Sequence, residues 1–394
     1  MNSDYERIRM KKFSKLLALS LILVMCASCF YGCSSNKDEE KSSKKTKVVA
    51  TIFPVYDFLR EIGGDKIDLT MLMTPGAETH SYEPTPKDMK TVSNADLFAY
   101  VGGDSDEWVE KILDGNKNDK MKVITLMDCV KTVAEEHVEG MEEEHDHEHD
   151  HDADVDSKTN SDTGKHDEHE DKDKDDKHAD EHKDEHDHDD GDKDEHDHDH
   201  DSDEPEHDEH DHDHDSDEPE QDEHVWTSPQ NAIQIVKKLT AELSKVDPDN
   251  ADYYKKNSEN YIKKLENLDK KFEDVVKNGK RKEIIFGDRF PFRYFVDRYG
   301  LKYYAAFPGC STDTEASAST VAFLTNKVKE DQIPVIFHIE LSNNKIAESI
   351  AEATGAKMLQ LNAVHNVTKE DFEKGETYLS LMEKNLKPLE EALN

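Results

Sequence analysis

The chain lacks the features that would indicate a nucleic-acid-binding protein or an enzyme. Acidic residues outnumber basic ones by 92 to 51, so no basic excess is available for a nucleic-acid backbone, and cations are the expected partners. Gly-x-Ser-x-Gly and phosphate-binding loops are absent. One H-E-x-x-H match, at 147–151, lies in a stretch without the apolar helix face that this motif needs. We therefore expect no catalysis and no nucleic-acid partner.

Long apolar runs are also missing, apart from Leu16–Met25. Basic residues precede this run, which is too short for a comfortable membrane span and is typical of a signal-peptide core. A stretch rich in lysine and serine follows the apolar run and three cysteines. These features predict an exported chain with a signal peptide at 1–33 and a polar linker at 34–46. Met10 is an alternative start, and an uncleaved anchor is the alternative to cleavage.

Cysteine is scarce outside this N-terminal region. The leader resembles a bacterial lipoprotein signal, in which a cysteine becomes the lipidated first residue. That resemblance implies lipidation at Cys29 or Cys33 and attachment to the outer face of the cell membrane. Only Cys129 and Cys310 lie further along the chain, and two cysteines so far apart in sequence leave a disulfide open.

Histidine is concentrated in one segment. Residues 142–223 hold 17 of the 22 histidines, together with 43 acidic residues and 7 lysines, so the remaining 312 residues carry a net charge of only −5. Imidazole favours Zn, Cu, Ni and Fe, whereas carboxylates alone favour Ca, Mg or Mn, so Zn(II) is the first expectation. The densest accessory metal-binding candidates are His196, His198, His200, His210, His212 and His214.

The same segment is predicted to be a disordered insert. It contains almost no apolar residues, and 194–206 recurs residue for residue as 208–220. Nothing would offset the chain entropy lost on ordering, so we expect many weak, exchangeable metal sites. A merely solvated run of charge is the alternative interpretation.

Outside the insert, short apolar runs alternate with helical stretches. Continuous apolar strands between helices imply parallel sheets covered on both faces, so we predict an α/β fold with two lobes, at 47–246 and 280–394. The predicted strands are 48–53, 67–73, 96–101 and 122–127 in the first lobe, and 283–286, 301–306, 335–339 and 357–361 in the second.

One long helix is predicted between the lobes, over 247–279. Asp247-Pro248 is a good helix start, and apolar residues then recur at three, four or seven positions. A helix of about 30 residues would extend about 45 Å and could join two lobes. A coiled coil is the alternative, but too few heptads are present to prefer it.

Few histidines remain for a specific site. His80 and His365 each follow a predicted strand, as does Asp288, and ligands of open α/β sheets bind at the carboxyl ends of strands. His224 stands at the downstream edge of the insert, where apolar residues return. These four residues are the candidate metal ligands.

Around these residues the chain resembles the metal-binding lipoproteins of ABC importers, the cluster A-I solute-binding family, which includes zinc and manganese receptors. Residues 76–84 are similar to the first metal-histidine loop of the family, 223–226 to the second, and 283–301 to the region of the third ligand. The resemblance extends over nearly all of the chain after Lys47. A histidine-rich acidic loop before the second histidine is typical of the zinc members.

The resemblance implies two lobes joined by a rigid helix, with one metal ion between them and two ligands from each lobe. Carried over by position, the ligands are His80 and His224 from the first lobe, then Asp288 and His365 from the second. The family usually has histidine or glutamate at the third position and aspartate at the fourth, so this chain departs from the pattern at both. Three imidazoles and one carboxylate still suit a closed tetrahedral zinc site.

Alternatives remain open for the residues of the second lobe. Asp288 could cap a helix beginning at Phe290, and His365 could be a loop residue bonded to backbone. Glu340 is interpreted as a partner that fixes the tautomer of a ligand histidine, whereas His338 is expected to pack within the sheet.

The resemblance implies a monomeric extracytoplasmic receptor that captures Zn(II) with high affinity and delivers it to the membrane permease of an ABC transporter. Four protein ligands leave no open position for water, which argues against a zinc hydrolase. A manganese receptor of the same family, an extracellular zinc buffer and an adhesin are the alternative functions.

Overall fold

The structure of the protein is a computed structural model that describes residues 45–77, 82–115, 118–141, 220–312 and 315–394. Several predicted features lie outside the described residues: the signal peptide, Cys29 and Cys33, nearly all of the linker, His80, and the insert from 142 to 219 with its six accessory histidines. Within the described part, no helix is both long and apolar enough to span a bilayer.

The N-terminal lobe is built on a four-stranded parallel sheet. Its strands are β1 (Thr46–Ala50), β2 (Ile67–Met71), β3 (Leu97–Tyr100) and β4 (Lys122–Thr125), arranged in the order β2-β1-β3-β4. The connecting helices are α1 (Phe53–Gly63), α2 (Pro86–Ser93) and α3 (Glu107–Gly115). Val48 and Val49 point to opposite faces of β1, yet both are buried, which confirms the prediction of a parallel sheet covered on both sides.

Two helices follow the N-terminal sheet, α4 (Pro229–Val246) and α5 (Ala251–Asn278). The 28 residues of α5 correspond to about 42 Å. Its buried side chains recur at three, four or seven residues and include Tyr261, Leu265 and Phe272, so one apolar stripe packs inward along the whole helix. The predicted long helix is therefore present.

The start of this helix differs from the prediction. A 3-10 turn at Pro248–Asn250 precedes α5, which begins at Ala251. The Asp247 carboxylate does not cap the helix. It accepts hydrogen bonds from Asn250 Nδ2, at 2.9 Å, and from the Tyr254 hydroxyl, at 2.5 Å.

The C-terminal lobe contains a second four-stranded parallel sheet. The strands of this lobe are β5 (Glu283–Phe286), β6 (Arg289–Phe290), β7 (Lys302–Tyr304), β8 (Phe307–Pro308), β9 (Val335–His338) and β10 (Lys357–Gln360). The main sheet has the order β10-β9-β5-β7, and β6 pairs with β8 in a separate two-stranded ladder. The helices are α6 (Arg293–Tyr299), α7 (Ala318–Glu330), α8 (Lys345–Thr354), α9 (Lys369–Glu373), α10 (Tyr378–Lys384) and α11 (Leu386–Leu393).

When the strands of each main sheet are numbered in chain order, both sheets have the spatial order 2-1-3-4. The order reverses between β1 and β3 in one lobe and between β5 and β9 in the other. Ligands of such sheets bind beyond the carboxyl ends of the strands at this switch point. Asp288 and Glu340 follow β5 and β9 by two residues each, so the topology places both carboxylates at the switch point of the C-terminal lobe.

The two lobes share one hydrophobic core that runs from Val48 in β1 to Leu393 in α11. Helix α10 contributes to it by returning to the N-terminal lobe. Its Tyr378 backbone N–H donates to Asp57 at 2.7 Å, and its hydroxyl donates to the Trp226 carbonyl at 2.7 Å. The lobes are thus joined by buried contacts as well as by α5. Cys129 and Cys310 are free thiols, so the disulfide left open by the sequence is not formed.

Candidate metal centre

A small cavity lies where the two lobes meet. Ala77 and His224 contribute the wall from the N-terminal lobe, and the C-terminal lobe contributes Arg289, Pro291, Gly309, Ile339, Glu340, Leu341, His365 and Asn366. Its volume is about 30 Å³. Sites for organic ligands usually have several hundred cubic ångströms, so this cavity suits a single ion with its ligand atoms.

His224 is fully buried in this wall, at the start of a short 3-10 turn over Val225–Thr227. Asp222 Oδ1 accepts the His224 backbone N–H at 2.8 Å and lies 3.2 Å from ring Nδ1. When Nδ1 donates to this carboxylate, Nε2 carries the lone pair that a metal ion needs. Burial by itself would lower the pKa of His224, because it disfavours the charged imidazolium. The negative charges of Asp222 and then Glu223 have the larger combined effect, so the pKa of His224 is raised.

Asp222 belongs to a two-stranded stem formed by residues 133–135 and 220–222. Ala134 and Gln221 form an antiparallel bridge, and Asp222 N–H donates to the Val133 carbonyl at 2.9 Å. The Tyr294 hydroxyl, from α6 in the other lobe, donates to the Asp222 carbonyl at 2.6 Å. The stem therefore joins the chain before the insert to the residues just before His224, and it fixes the position of Asp222.

His365 lies against His224 in the cavity. The two imidazole centroids are 5.1 Å apart with ring planes at 86°, and the Trp226 ring lies 4.9 Å from His365. Trp226 also donates its indole N–H to the Ala363 carbonyl at 2.9 Å, which ties the 3-10 turn after His224 to the loop before His365. The structure thus brings together two of the four predicted ligands, one from each lobe.

The loop carrying His365 is held by Glu340. The two carboxylate oxygens accept the backbone N–H groups of Ala363, at 2.7 Å, and His365, at 3.1 Å. These bonds position the backbone, whereas the sequence predicted a partner for an imidazole. Val364, between them, is buried with φ of 60°, a conformation that a β-branched residue adopts only under constraint. Burial raises the pKa of Glu340 to about 7.

The same loop contacts the N-terminal lobe beside the predicted His80 loop. Asn366 Nδ2 donates to the carbonyls of Thr74 and Ala77, at 3.0 Å each, and Gly76 N–H donates to the Val367 carbonyl at 2.8 Å. The segment that leads to residue 80 therefore begins at the cavity, although His80 itself lies outside the described residues.

Asp288 is buried but does not line the cavity. Its carboxylate accepts the backbone N–H of Ile339 at 3.0 Å and of Arg289 at 2.9 Å, which joins the ends of β5 and β9. It caps no helix, because Arg289 and Phe290 form β6 and α6 begins only at Arg293. The structure places Glu340 in the wall, whereas Asp288 holds the backbone of two wall residues, Ile339 and Arg289.

Within the part of the chain that the structure describes, no group of three or more His, Cys, Asp or Glu residues is arranged to hold an ion. His224, His365 and Glu340 nevertheless line the same cavity. His338 is buried in β9, as expected, with Nδ1 3.0 Å from the Ile339 carbonyl.

Two residues of the site were not predicted from the sequence. Asp222 lies two positions before His224, a spacing that could have indicated a carboxylate partner for the imidazole. Arg289 lines the cavity, and a positive charge gives no sequence signal for a cation site.

An ion-sized cavity between two α/β lobes, with a histidine from each lobe, is the arrangement expected of a metal-binding solute receptor. Residues 48–392 match the family described as "Zinc-uptake complex component A periplasmic", and the chain belongs to this family. This confirms the resemblance found in the sequence.

Individual relatives show the same likeness. The high-affinity zinc uptake system protein ZnuA of Bacillus subtilis (strain 168) is 32% identical over 384 residues, which cover 97% of this chain and 98% of that protein. The zinc-binding lipoprotein AdcA of Streptococcus pneumoniae serotype 4 is 32% identical over 383 residues. That alignment covers 97% of this chain and 61% of AdcA.

Solved structures support the fold. The Zn(II)-bound ZnuA-like domain of Streptococcus pneumoniae AdcA aligns with a TM-score of 0.60 at 27% identity, over 89% of this chain and 99% of that domain. The metal-dependent lipoprotein YcdH of Bacillus subtilis aligns with a TM-score of 0.61 at 28% identity, over 89% of this chain and 99% of that one. The predicted fold class is therefore confirmed.

Proposed function

We propose that this protein captures one Zn(II) ion with high affinity in the cavity between its lobes and delivers it to the membrane permease of an ABC transporter. The observation that carries the proposal is the cavity of about 30 Å³ in which imidazoles from the two lobes meet. Membership in a zinc-uptake family and the zinc-binding relatives support the choice of metal. A closed site without an open position for water suits transport and not hydrolysis.

The proposed ligands are His80 and His224 from the first lobe, with His365 and one carboxylate from the second. Position in the family pattern indicates Asp288 as the carboxylate, but Glu340 lines the cavity and Asp288 does not. We therefore propose Glu340 as the fourth ligand and Asp288 as the residue that holds the strand ends behind it. Three imidazoles with one carboxylate favour Zn(II) over Mn(II).

The remaining parts of the chain would support this role. A lipid on Cys29 or Cys33 would hold the receptor at the outer face of the cell membrane, near its permease. The histidines between 142 and 219 would bind further zinc ions weakly, beside a stem that ends at the cavity. We propose that the receptor acts as a monomer.

The test is a zinc titration of the full chain in competition with a chelator strong enough to empty weak sites. One tight zinc ion per wild-type molecule is expected, and His224→Ala or His365→Ala should abolish it. His137→Ala, at an exposed histidine outside the cavity wall, is the matched control and should keep the tight site. A wild type without a tight zinc ion, or one in which Mn(II) displaces Zn(II) at comparable free concentration, contradicts the proposal.

The choice of carboxylate is tested by comparing Glu340→Gln with Asp288→Asn. Both changes remove one negative charge and keep the size of the side chain. Loss of a metal ligand should weaken zinc binding by about 100-fold or more in Glu340→Gln, whereas Asp288→Asn should act as an outer partner with a loss of about tenfold. The opposite ranking would assign the ligand to Asp288.

A further inference from the structure

Arg289, a positively charged residue, contributes to the wall of the proposed zinc cavity. Its backbone is fixed, because β6 pairs with β8 and the Arg289 N–H donates to Asp288 Oδ1 at 2.9 Å. Its guanidinium is held at Nη1, which donates to the Ser311 carbonyl at 3.2 Å. Arg289 is therefore anchored at the cavity both through its backbone and through its guanidinium.

Two carboxylates lie at the same cavity. Glu340 lines the wall, and Asp222 Oδ1 lies 3.2 Å from Nδ1 of His224, which also lines it. Such a wall attracts any cation. The positive charge of the Arg289 guanidinium offsets part of this negative charge when no metal ion is present.

The same charge acts against a bound dication. Unlike charges in a partly buried site attract through an effective dielectric far below that of water, and like charges repel to the same degree. A neutral side chain of similar size would leave the imidazole and carboxylate ligands intact and remove the repulsion. Arg289 is thus placed to lower the affinity of the site below what its ligands alone would give.

We propose that Arg289 sets the zinc affinity of this receptor: its fixed charge limits how tightly the dication is held and speeds its release. The proposal rests on the proposed function and concerns the same cavity. A receptor that passes its ion to a second protein must release it, and a permanent charge in the wall supplies repulsion without occupying a ligand position.

The experiment compares Arg289→Gln and Arg289→Lys with wild type, all as full chains. Zinc affinity is measured by chelator competition, and zinc release is measured as the rate of transfer to excess chelator. Without the charge, Arg289→Gln should bind zinc at least about tenfold more tightly and release it correspondingly more slowly. Arg289→Lys keeps the charge and should stay within about threefold of wild type.

Arg281→Gln is the matched control. Arg281 lies in the same lobe and also donates Nη1 to a backbone carbonyl, that of Gln332 at 2.9 Å, but it is not part of the cavity wall. Its zinc affinity should equal that of wild type. Thermal unfolding of the metal-free variants checks folding, and Arg289→Met provides a second neutral variant.

Unchanged or weaker zinc binding by folded Arg289→Gln and Arg289→Met overturns the proposal. Weaker binding would mean that the guanidinium supports the site, for example by holding an anion beside the metal ion. Failure of the proposed function is recognised separately, because wild type would then lack a tight zinc ion in the same assay.

Discussion

At the residue scale, the orientation of His224 depends on Asp222. One carboxylate oxygen lies within hydrogen-bonding distance of both the backbone N–H and ring Nδ1 of the histidine. Asp222 therefore holds the ring in position and, in the neutral imidazole, favours the proton on Nδ1, which would leave Nε2 available for the proposed zinc ion.

Replacing Asp222 by Asn should weaken zinc binding by about 10- to 100-fold, because an amide supports the ligand tautomer less well than a carboxylate. Chelator competition on the full chain measures the effect. Asp128→Asn, at an exposed carboxylate of the same lobe, is the control and should leave the affinity unchanged. Equal zinc affinities for wild type and Asp222→Asn would show that Asp222 does not position the ligand.

Asp57 is a second residue whose charge depends on its surroundings. It is fully buried, pairs with Arg60 and accepts the Tyr378 backbone N–H. Burial raises its pKa to about 6, although Arg60 opposes the shift. A carboxyl group in an unfolded chain has a pKa of about 3.9, so the stability linked to this group is present at low pH and lost as the pH rises through about 6.

The free energy of unfolding of wild type, relative to Asp57→Asn, should therefore rise by about 1 kcal/mol between about pH 7.5 and about pH 5. Denaturant unfolding at the two pH values measures the difference, and titration of the many histidines cancels because both proteins contain them. Asp68→Asn, at an exposed carboxylate, should show the pH profile of wild type. A difference that is constant with pH contradicts the assignment.

The sequence predicted part of the site for a clear physical reason. His224 and His365 could be placed because each stands where an apolar segment begins or ends, and the cavity brings them together. The sequence predicted Asp288 as the ligand and Glu340 as the partner of a ligand histidine, but both follow central strands by two residues, so their positions in the sequence do not distinguish their roles. Their backbone hydrogen-bond partners determine which of them lines the cavity, and these partners come from distant loops.

At the element scale, the stem of residues 133–135 and 220–222 is bound to the C-terminal lobe by α6. The Tyr294 hydroxyl donates to the Asp222 carbonyl and accepts the Val133 N–H at 3.3 Å. Glu135 accepts the backbone N–H of Cys310 at 2.8 Å. One tyrosine therefore holds both strands of the stem, next to the residue that orients His224.

Tyr294→Phe should lower the free energy of unfolding by about 2 kcal/mol, because two backbone groups lose their partner in a largely buried place. It should also weaken zinc binding, since Asp222 loses one of its supports. Chemical denaturation and chelator competition measure the two effects. Tyr100→Phe, at a half-buried tyrosine on β3 that stacks on Phe98, should be nearly neutral in both assays. Equal effects in both variants would argue against a role for the stem.

The helices and strands with a regular apolar pattern were predicted from the sequence, whereas short elements without such a pattern were missed. Strand β1 and helix α5 were evident because burial imposes a regular apolar pattern on them. The first turn of α5 was missed because Asp247 bonds to Tyr254, seven residues later, instead of capping the helix. The two-stranded ladder of β6 and β8 was missed because such short strands carry no pattern of their own.

At the scale of the whole molecule, the continuous core predicts that both lobes unfold together. Helix α10 of the C-terminal lobe is buried against α1, with the Phe58 and Tyr378 rings 4.8 Å apart, and α5 packs along both lobes. We expect a single transition in the metal-free protein, with equal calorimetric and van't Hoff enthalpies. Two resolved transitions would mean that the lobes are separate folding units.

The bridge between Ala134 and Gln221 also determines how the fold tolerates insertions and deletions in the segment between them. Its two strands lie about 5 Å apart, so the intervening segment starts and finishes at one place whatever its size. Loop closure depends only weakly on length, and adding one 14-residue copy, the spacing at which 194–206 recurs as 208–220, costs about 0.1 kcal/mol. The body of the protein should therefore tolerate the gain or loss of such a copy, so the number of histidines can vary independently of the fold.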